Sequence, residues 1–96
     1  MANLNELNKL EKWLRENDYN VERFDEFNIP FSRHQVIVLD ESGKRAFDVV
    51  CHPGSYGFEA GLLEIMNGTM KLCGFEYDVE GWLTADEIIK RLQERR

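Results

Sequence analysis

The first hydrophobic pattern in the chain is that of an amphipathic helix. Five apolar side chains recur at helical spacing, and charged side chains occupy the positions between them: Leu4, Leu7, Leu10, Trp13 and Leu14. Asn3 followed by Glu6 has the form of a capping box, and Asn17 and Asp18 are residues that tolerate the conformation at a helix end. The pattern therefore predicts a helix between that cap and residue 17.

The next segments have the spacing of β-strands. Residues 19–24 alternate weakly and carry polar side chains, which predicts an edge strand. Residues 35–39 are apolar on both faces, as is typical of a central strand. Residues 40–44 have hairpin-loop chemistry, with Gly43 able to take a positive φ, and residues 45–51 form the returning strand.

Glycines and a proline interrupt the second half, and helical spacing follows them. Ser55 suits an N-cap, and four apolar side chains form one stripe over residues 56–66: Phe58, Leu62, Leu63 and Met66. This predicts a second helix. Residues 69–73 predict a fourth strand, and Thr84 with Glu87 forms a capping box that opens a terminal helix.

These elements predict an α+β fold with the order α-β-β-β-α-β-α. We expect a small sheet of three to four strands, mainly antiparallel and covered by helices. The strand-helix-strand unit in the middle of the chain also allows a right-handed crossover that would make two strands parallel. The 96 residues are the length of one domain, which we expect to span residues 1–96.

Charge excludes some classes of partner. The chain has 18 acidic and 12 basic residues and a formal net charge of −6. Nucleic-acid backbones and anionic membranes bind clustered basic side chains, which are absent here except near the C-terminus, so we expect neither partner. Residues 47–89 carry eight acidic side chains and one basic side chain, Lys71, so a shared surface there would attract a protein with a basic surface.

The cysteines and histidines do not have the spacing of a metal site. Cys51 and Cys73 are 22 residues apart, and the histidines, His34 and His52, form no pair with ligand spacing. We therefore expect no metal and no cofactor. The first residues lack the basic and apolar segments of a secretory signal, so we expect a cytoplasmic protein with reduced thiols.

The turn after the third strand is one candidate site. Its polar groups are Cys51, His52, Ser55 and Tyr56. A cysteine near a helix N-terminus can have a lowered pKa, which would suit a small-ligand site or a Cys/His-dependent enzyme. Adjacent residues on a strand point to opposite faces, however, so Cys51 and His52 do not form an obvious nucleophile–base pair. Catalysis is therefore the alternative hypothesis, and no residue is assigned a catalytic role.

The acidic middle region is the other candidate site. It combines carboxylates with an aromatic side chain: Glu59, Glu64, Asp78, Glu80 and Trp82. Trp82 suits a hydrophobic anchor for the last helix, whereas an exposed tryptophan would mark a protein-binding surface. We expect these carboxylates to converge on one surface of the fold.

Two segments carry a resemblance. FDVVCHPGSYGFEAGLLE (residues 47–64) and VEGWLTADEII (residues 79–89) resemble small uncharacterised proteins of bacteriophages and mobile elements of Gram-positive bacteria. The resemblance implies an intracellular accessory protein and transfers no catalytic residue. The acidic stretch over residues 47–89, with its interleaved aromatic side chains, favours a non-enzymatic protein-interaction function with an acidic surface.

Overall fold

A five-stranded antiparallel sheet and two helices make up the described part of the chain. The computed structural model describes residues 3–27, 32–51, 55, 57–74 and 77–95. The regular elements, in chain order, are α1 (Asn5–Glu16), β1 (Asn20–Phe27), β2 (Ser32–Leu39), β3 (Arg45–Val50), a 3₁₀ turn (Phe58–Ala60), β4 (Leu63–Asn67), β5 (Val79–Leu83) and α2 (Ala85–Glu94). Neither helix in these ranges has the length and apolar character that a membrane span requires.

The sheet is a meander in which every strand pairs with its neighbours in sequence. The strand order is β1-β2-β3-β4-β5, and all four pairings are antiparallel. Gly43, with φ +84°, provides the positive φ in the hairpin between β2 and β3. The sequence-based predictions of this hairpin, of β1 as an edge strand and of an α+β fold are confirmed.

The core lies between one face of the sheet and the two helices. Alternate strand residues are buried on this covered face: Val36, Val38, Phe47, Val49, Leu63 and Ile65. The helices contribute Leu7, Leu10, Leu14, Ile88 and Leu92. Arg23 of β1 is paired with the buried Val36, so its side chain lies on the covered face. Its Nη1 donates to Glu11 of α1 at 2.8 Å, which places α1 over this face.

The predicted helix over residues 56–66 is wrong. Gly57 and Gly61 have φ of +95° and +71°, which stops a regular helix and leaves only the short 3₁₀ turn between them. Leu63 and Ile65 are buried whereas Glu64 and Met66 are not, so the period of two makes this segment β4. Ser55 therefore caps no long helix.

The strand count differs from the sequence-based prediction, whereas the prediction of a mainly antiparallel sheet is confirmed. The sheet has five strands rather than three to four, because residues 63–67 and 79–83 are both strands. Residues 69–73, predicted as a strand, are irregular, and the side chain of Asn67 accepts from the amides of Leu72 and Cys73 at 2.8 and 3.0 Å. The parallel crossover is absent, since β3 pairs with β4 antiparallel.

The two predicted capping boxes have different outcomes. At α2 the box is present, with Thr84 and Glu87 exchanging hydrogen bonds. At α1 it is absent: the N-cap is Leu4, and Asn3 Oδ1 accepts from the amide of Asn5 at 3.1 Å. Glu6 instead accepts from the amide of Ala85 at 2.7 Å, so this carboxylate ties the start of one helix to the start of the other.

Candidate interaction surface on the open face of the sheet

The strand register aligns apolar side chains in a stripe across the sheet face opposite the helices. We call this side the open face, because both helices in the described part of the chain pack on the covered face. Each strand contributes one apolar side chain to the open-face stripe: Phe24, Ile37, Val50, Met66 and Val79. Phe24 is 45% exposed and Met66 is 40% exposed. The stripe therefore leaves large hydrophobic surface in contact with solvent.

The strand register explains how the stripe forms. Two rows of directly opposite residues cross the sheet, the first Phe24–Gln35–Val50–Glu64 and the second Glu22–Ile37–Asp48–Met66–Val79. Polar and apolar residues alternate along the first row, and along the second row up to its last pair, Met66 and Val79, which are both apolar. The rows are offset by one residue pair, so each apolar side chain has an apolar neighbour on the diagonal or directly opposite. Aromatic and long side chains can span the diagonal separation between neighbouring strands.

Carboxylates lie within the stripe and near both of its ends. Asp48 is buried, accepts from Gln35 Nε2 at 2.7 Å and forms an ion pair with Arg45. Glu22 is exposed near one end of the stripe, and Glu64 is partly exposed near the other. The open face therefore combines exposed apolar area with carboxylates at both ends.

The edge strand β5 contains an exposed tryptophan whose backbone is in the left-handed region. The register of β4 and β5 shifts between Leu63 and Ile65, so Glu64 lies opposite both Gly81 and Trp82. Trp82 has φ +61° and is 60% exposed. It is therefore not the buried anchor for the last helix that the sequence also allowed, and it adds aromatic surface at this edge.

The predicted convergence of acidic side chains on one surface is not what the structure shows. Three carboxylates between residues 47 and 89 pair with bases from outside that segment: Asp48 with Arg45, Glu80 with Arg91 and Asp86 with Lys9. The Arg91 guanidinium beside Glu80 holds the pKa of that carboxyl below its usual value. These three carboxylates are therefore already compensated within the protein.

The other predicted acidic residues are spread over the molecule. Glu59 is exposed in the 3₁₀ turn, and Asp78 is exposed next to β5, where its carbonyl accepts from the amide of Asn67 at 2.8 Å. Glu64 is on the open face, beside Trp82 in the register. Of the predicted acidic site, the structure brings together only Glu64 and Trp82 at one edge of the open face.

The turn after β3 does not present a reactive thiol. Cys51 is fully buried, and its Sγ lies 3.7 and 3.8 Å from the carbonyl oxygens of Asn3 and Leu62, either of which can accept the thiol proton. Burial raises the pKa of Cys51, and the nearby Arg23 only partly offsets this effect. Ser55 is also buried. His52 and Tyr56 lie outside the described residues. A nucleophilic cysteine needs access and a lowered pKa, and Cys51 has neither.

A polar pair on the covered face, formed by the buried His34 and the exposed Asp25, was not foreseen from the sequence. Asp25 lies directly opposite His34, with Asp25 Oδ1 2.7 Å from His34 Nδ1, and the amide of Cys51 donates to the carbonyl of His34 at 3.0 Å. Burial raises the pKa of Asp25, but hydrogen bonds to His34 and Arg23 outweigh it and leave the pKa lowered. The alternation of residues along β2 places His34 on the same face as Val36 and Val38, so the burial of His34 could have been predicted from the sequence.

The residues of the open-face stripe were also missed as a site, because none of them carries a reactive group. No group of three or more histidine, cysteine or acidic residues that could hold a metal is found among the described residues. Comparisons of the chain with protein-family models, with curated proteins and with solved structures found no match. The interpretation of the open face therefore depends on its geometry and chemistry.

Proposed function

We propose that the protein is a non-enzymatic interaction module, and that its open face binds a partner protein with basic and apolar side chains. The observation that carries the proposal is the stripe across five strands, with Phe24 and Met66 exposed at its surface. Contiguous exposed apolar area is uncommon on proteins that act alone and marks interaction sites. Aromatic and methionine side chains are also enriched in protein interfaces.

The charge of the open face supports a basic partner over a second copy of the chain. The strands place four carboxylates on the open face against two basic side chains: Glu22, Glu26, Asp48 and Glu64 against Arg33 and Arg45. Two copies placed face to face would bring carboxylates together, which opposes association. Lysine or arginine side chains of a partner would instead meet these carboxylates at both ends of the apolar contact.

The resemblance of residues 47–64 and 79–89 to proteins of phages and mobile elements supports an accessory role inside a host cell. In this proposal the protein acts in the cytoplasm and modifies the behaviour of a host or element-encoded protein by occupying its basic surface. No covalent chemistry is required. The proposal gives the open face a function that does not depend on Cys51, whose thiol is buried.

The first experiment removes the apolar stripe without changing the charge. Affinity capture followed by quantitative mass spectrometry compares the wild type with Phe24→Ser/Met66→Gln, and Tyr77→Ser is the control because Tyr77 is 68% exposed and outside the stripe. We expect one partner to be lost with the double variant and retained with the control. The purified partner should bind with a Kd about tenfold or more weaker in the double variant, because truncated hot-spot residues cost 2 kcal/mol or more.

The second experiment tests the charge requirement with matched variants. Glu22→Gln/Glu64→Gln and Glu16→Gln/Glu59→Gln remove the same net charge, but only the first pair is on the open face. We expect the first variant to bind more weakly and with less dependence on salt. Equal binding by both variants, or a dimer of this chain that the Phe24→Ser/Met66→Gln variant abolishes, would overturn the proposal of a basic partner.

A further inference from the structure

A second feature lies at the end of the sheet where α1 stops and β1 starts. A surface pocket of about 520 Å³ that is open to solvent lies there, lined by the start of β1, the hairpin between β2 and β3, the residues after β4 and the C-terminal end of α2. We call it the end pocket. Its volume is within the range of about 300–1,000 Å³ that small-ligand sites occupy.

The end pocket has an apolar wall. Val38 and Ala46 are buried, and Leu39 and Met70 are partly exposed beside them. Tyr19 adds an aromatic ring, which packs against Trp13 with ring centroids 5.9 Å apart. The wall therefore suits an aliphatic chain rather than a fully polar ligand.

Three carboxylates line the same pocket, against one basic side chain. Asp18, Asp40 and Glu41 are acidic lining residues, and Arg95 is the basic one. Arg95 Nη1 donates to the carbonyl of Lys71 at 2.8 Å, so the guanidinium is partly engaged. Hydrogen bonds from Ser42 and Thr69 lower the pKa of Asp40 to about 2, so this carboxylate is ionised at neutral pH.

Hydrogen bonds fix the side of the pocket that Asp40 and the residues after β4 form. Asp40 Oδ1 accepts from the amides of Ser42 and Lys44 at 2.9 and 3.0 Å, and Asp40 Oδ2 accepts from Thr69 Oγ1 at 2.9 Å. The amides of Thr69 and Met70 donate to the carbonyls of Arg45 and Ala46 at 3.0 and 2.9 Å. A ligand would therefore lose little free energy in ordering this side of the site.

The end pocket is continuous with the open face. Asn20 and Leu39 line the pocket and are paired in the sheet. The next pair on the same face is Glu22 with Ile37, and Ile37 belongs to the open-face stripe. A partner lying on the open face can therefore extend a side chain over Leu39 into the pocket. One bound partner could therefore contact both the open face and the end pocket.

We propose that the end pocket binds an arginine side chain of the same partner that occupies the open face. Its aliphatic part would lie along Leu39 and Met70, and its planar guanidinium would meet the carboxylates of Asp18 and Glu41. Arginine suits this arrangement because its donors are fixed in a fork that can serve two acceptors. The inference rests on the proposed function for its partner, but the pocket can be tested alone.

The direct test uses n-butylguanidinium as a probe of the full chain, followed by amide chemical shifts in NMR. We expect saturable shifts at Asn20, Leu39, Thr69 and Met70 with a millimolar Kd, and none with the uncharged n-butylurea. Asp18→Asn/Glu41→Gln should weaken binding about tenfold. Asparagine tolerates the φ of +65° at position 18, so the variant keeps its backbone.

The control variant is Glu16→Gln/Glu59→Gln, which removes the same charge outside the pocket and should bind the probe like the wild type. Equal shifts with the urea, shifts that do not saturate, or equal binding by both charge variants would overturn the inference. Probe binding in the pocket together with an unaffected partner Kd in Asp18→Asn/Glu41→Gln would overturn the assignment to the partner's arginine. If the open-face variants bind the partner as tightly as the wild type while the probe still binds the end pocket, the result would overturn the proposed function but not the inference that the pocket binds a guanidinium group.

Discussion

Arg91 and Glu80 form a two-pronged ion pair that joins α2 to the edge strand β5. Arg91 Nη1 donates to Glu80 Oε1 at 2.9 Å, and Arg91 Nη2 donates to Glu80 Oε2 at 2.7 Å. Arg91 Nη1 also donates to the carbonyl of Leu72 at 3.0 Å, while the amide of Gly74 donates to Glu80 at 2.7 Å. One pair of side chains therefore fixes a helix, a strand and the irregular segment before that strand.

Replacing Arg91 with methionine should destabilise the fold. The change keeps most of the apolar bulk but leaves Glu80 and the carbonyl of Leu72 without their cationic donor. We expect the free energy of unfolding, measured with urea, to fall by about 1–2 kcal/mol, because the pair is half-buried and bidentate. Lys90→Met is the control, since Lys90 is exposed and lies 3.9 Å from Glu94. Equal losses in both variants would contradict this role.

Stability should decrease in acid between about pH 4 and pH 2. The pKa of Asp40 falls from 3.8 to about 2 in the folded protein, and the pKa of Glu80 is also lowered. A lowered folded-state pKa means that the unfolded chain binds more protons in this range, so protonation favours unfolding as pH falls. Asp40→Asn should flatten the dependence of Tm on pH there, whereas Glu41→Gln, which makes none of the Asp40 contacts, should follow the wild type.

The two thiols should react slowly and in a defined order. Cys51 is fully buried and Cys73 is partly exposed, and burial raises the pKa of both. With Ellman's reagent at neutral pH, we expect the Cys51→Ala variant to release the chromophore faster than Cys73→Ala. Cys51 should react fully only after urea unfolds the protein. Rapid labelling of native Cys51 would show an accessible thiol and would revive the hypothesis of a Cys/His-dependent site.

Gly68→Ala should be much more damaging than Gly43→Ala. A Cβ at position 68 would overlap the carbonyl oxygen of Arg45 and lie 2.6 Å from that of Ala46, so the backbone would have to move. At position 43 the Cβ would meet nothing within 4 Å, and only the φ of +84° opposes the change. We expect losses of about 2–3 kcal/mol and about 1 kcal/mol, respectively, in urea unfolding. A reversed order would show that the contact of residue 68 with β3 is not tight.

The elements predicted correctly are those with local signals. Thr84 and Glu87 form the predicted capping box of α2, and Gly43 supplies the positive φ of the hairpin. The signal over residues 56–66 was ambiguous, because Phe58, Leu62 and Met66 match a helical period while Leu63 and Ile65 match a strand. The positive φ values of Gly57 and Gly61 decide between them, and the sequence alone does not specify those angles.

The candidate surface was harder to foresee than the fold. Phe24 and Met66 belong to the same stripe only because the register places β1, β2, β3 and β4 in order, which is a long-range property. The charge pattern was misleading for the same reason: Arg45, Lys9 and Arg91 neutralise acidic residues of the middle segment from other parts of the chain. Glu64 and Trp82 remained together because they meet across neighbouring strands.

The irregular pairing at Trp82 has a consequence for the behaviour of the protein at high concentration. An outer strand with regular backbone geometry is a template on which further chains can add, and a neighbouring apolar surface would favour that growth. The extra residue opposite Glu64 and the left-handed backbone of Trp82 interrupt this template within a strand of only five residues. At the β5 edge of the sheet, this geometry therefore opposes the addition of further strands beside the exposed hydrophobic surface of the open face.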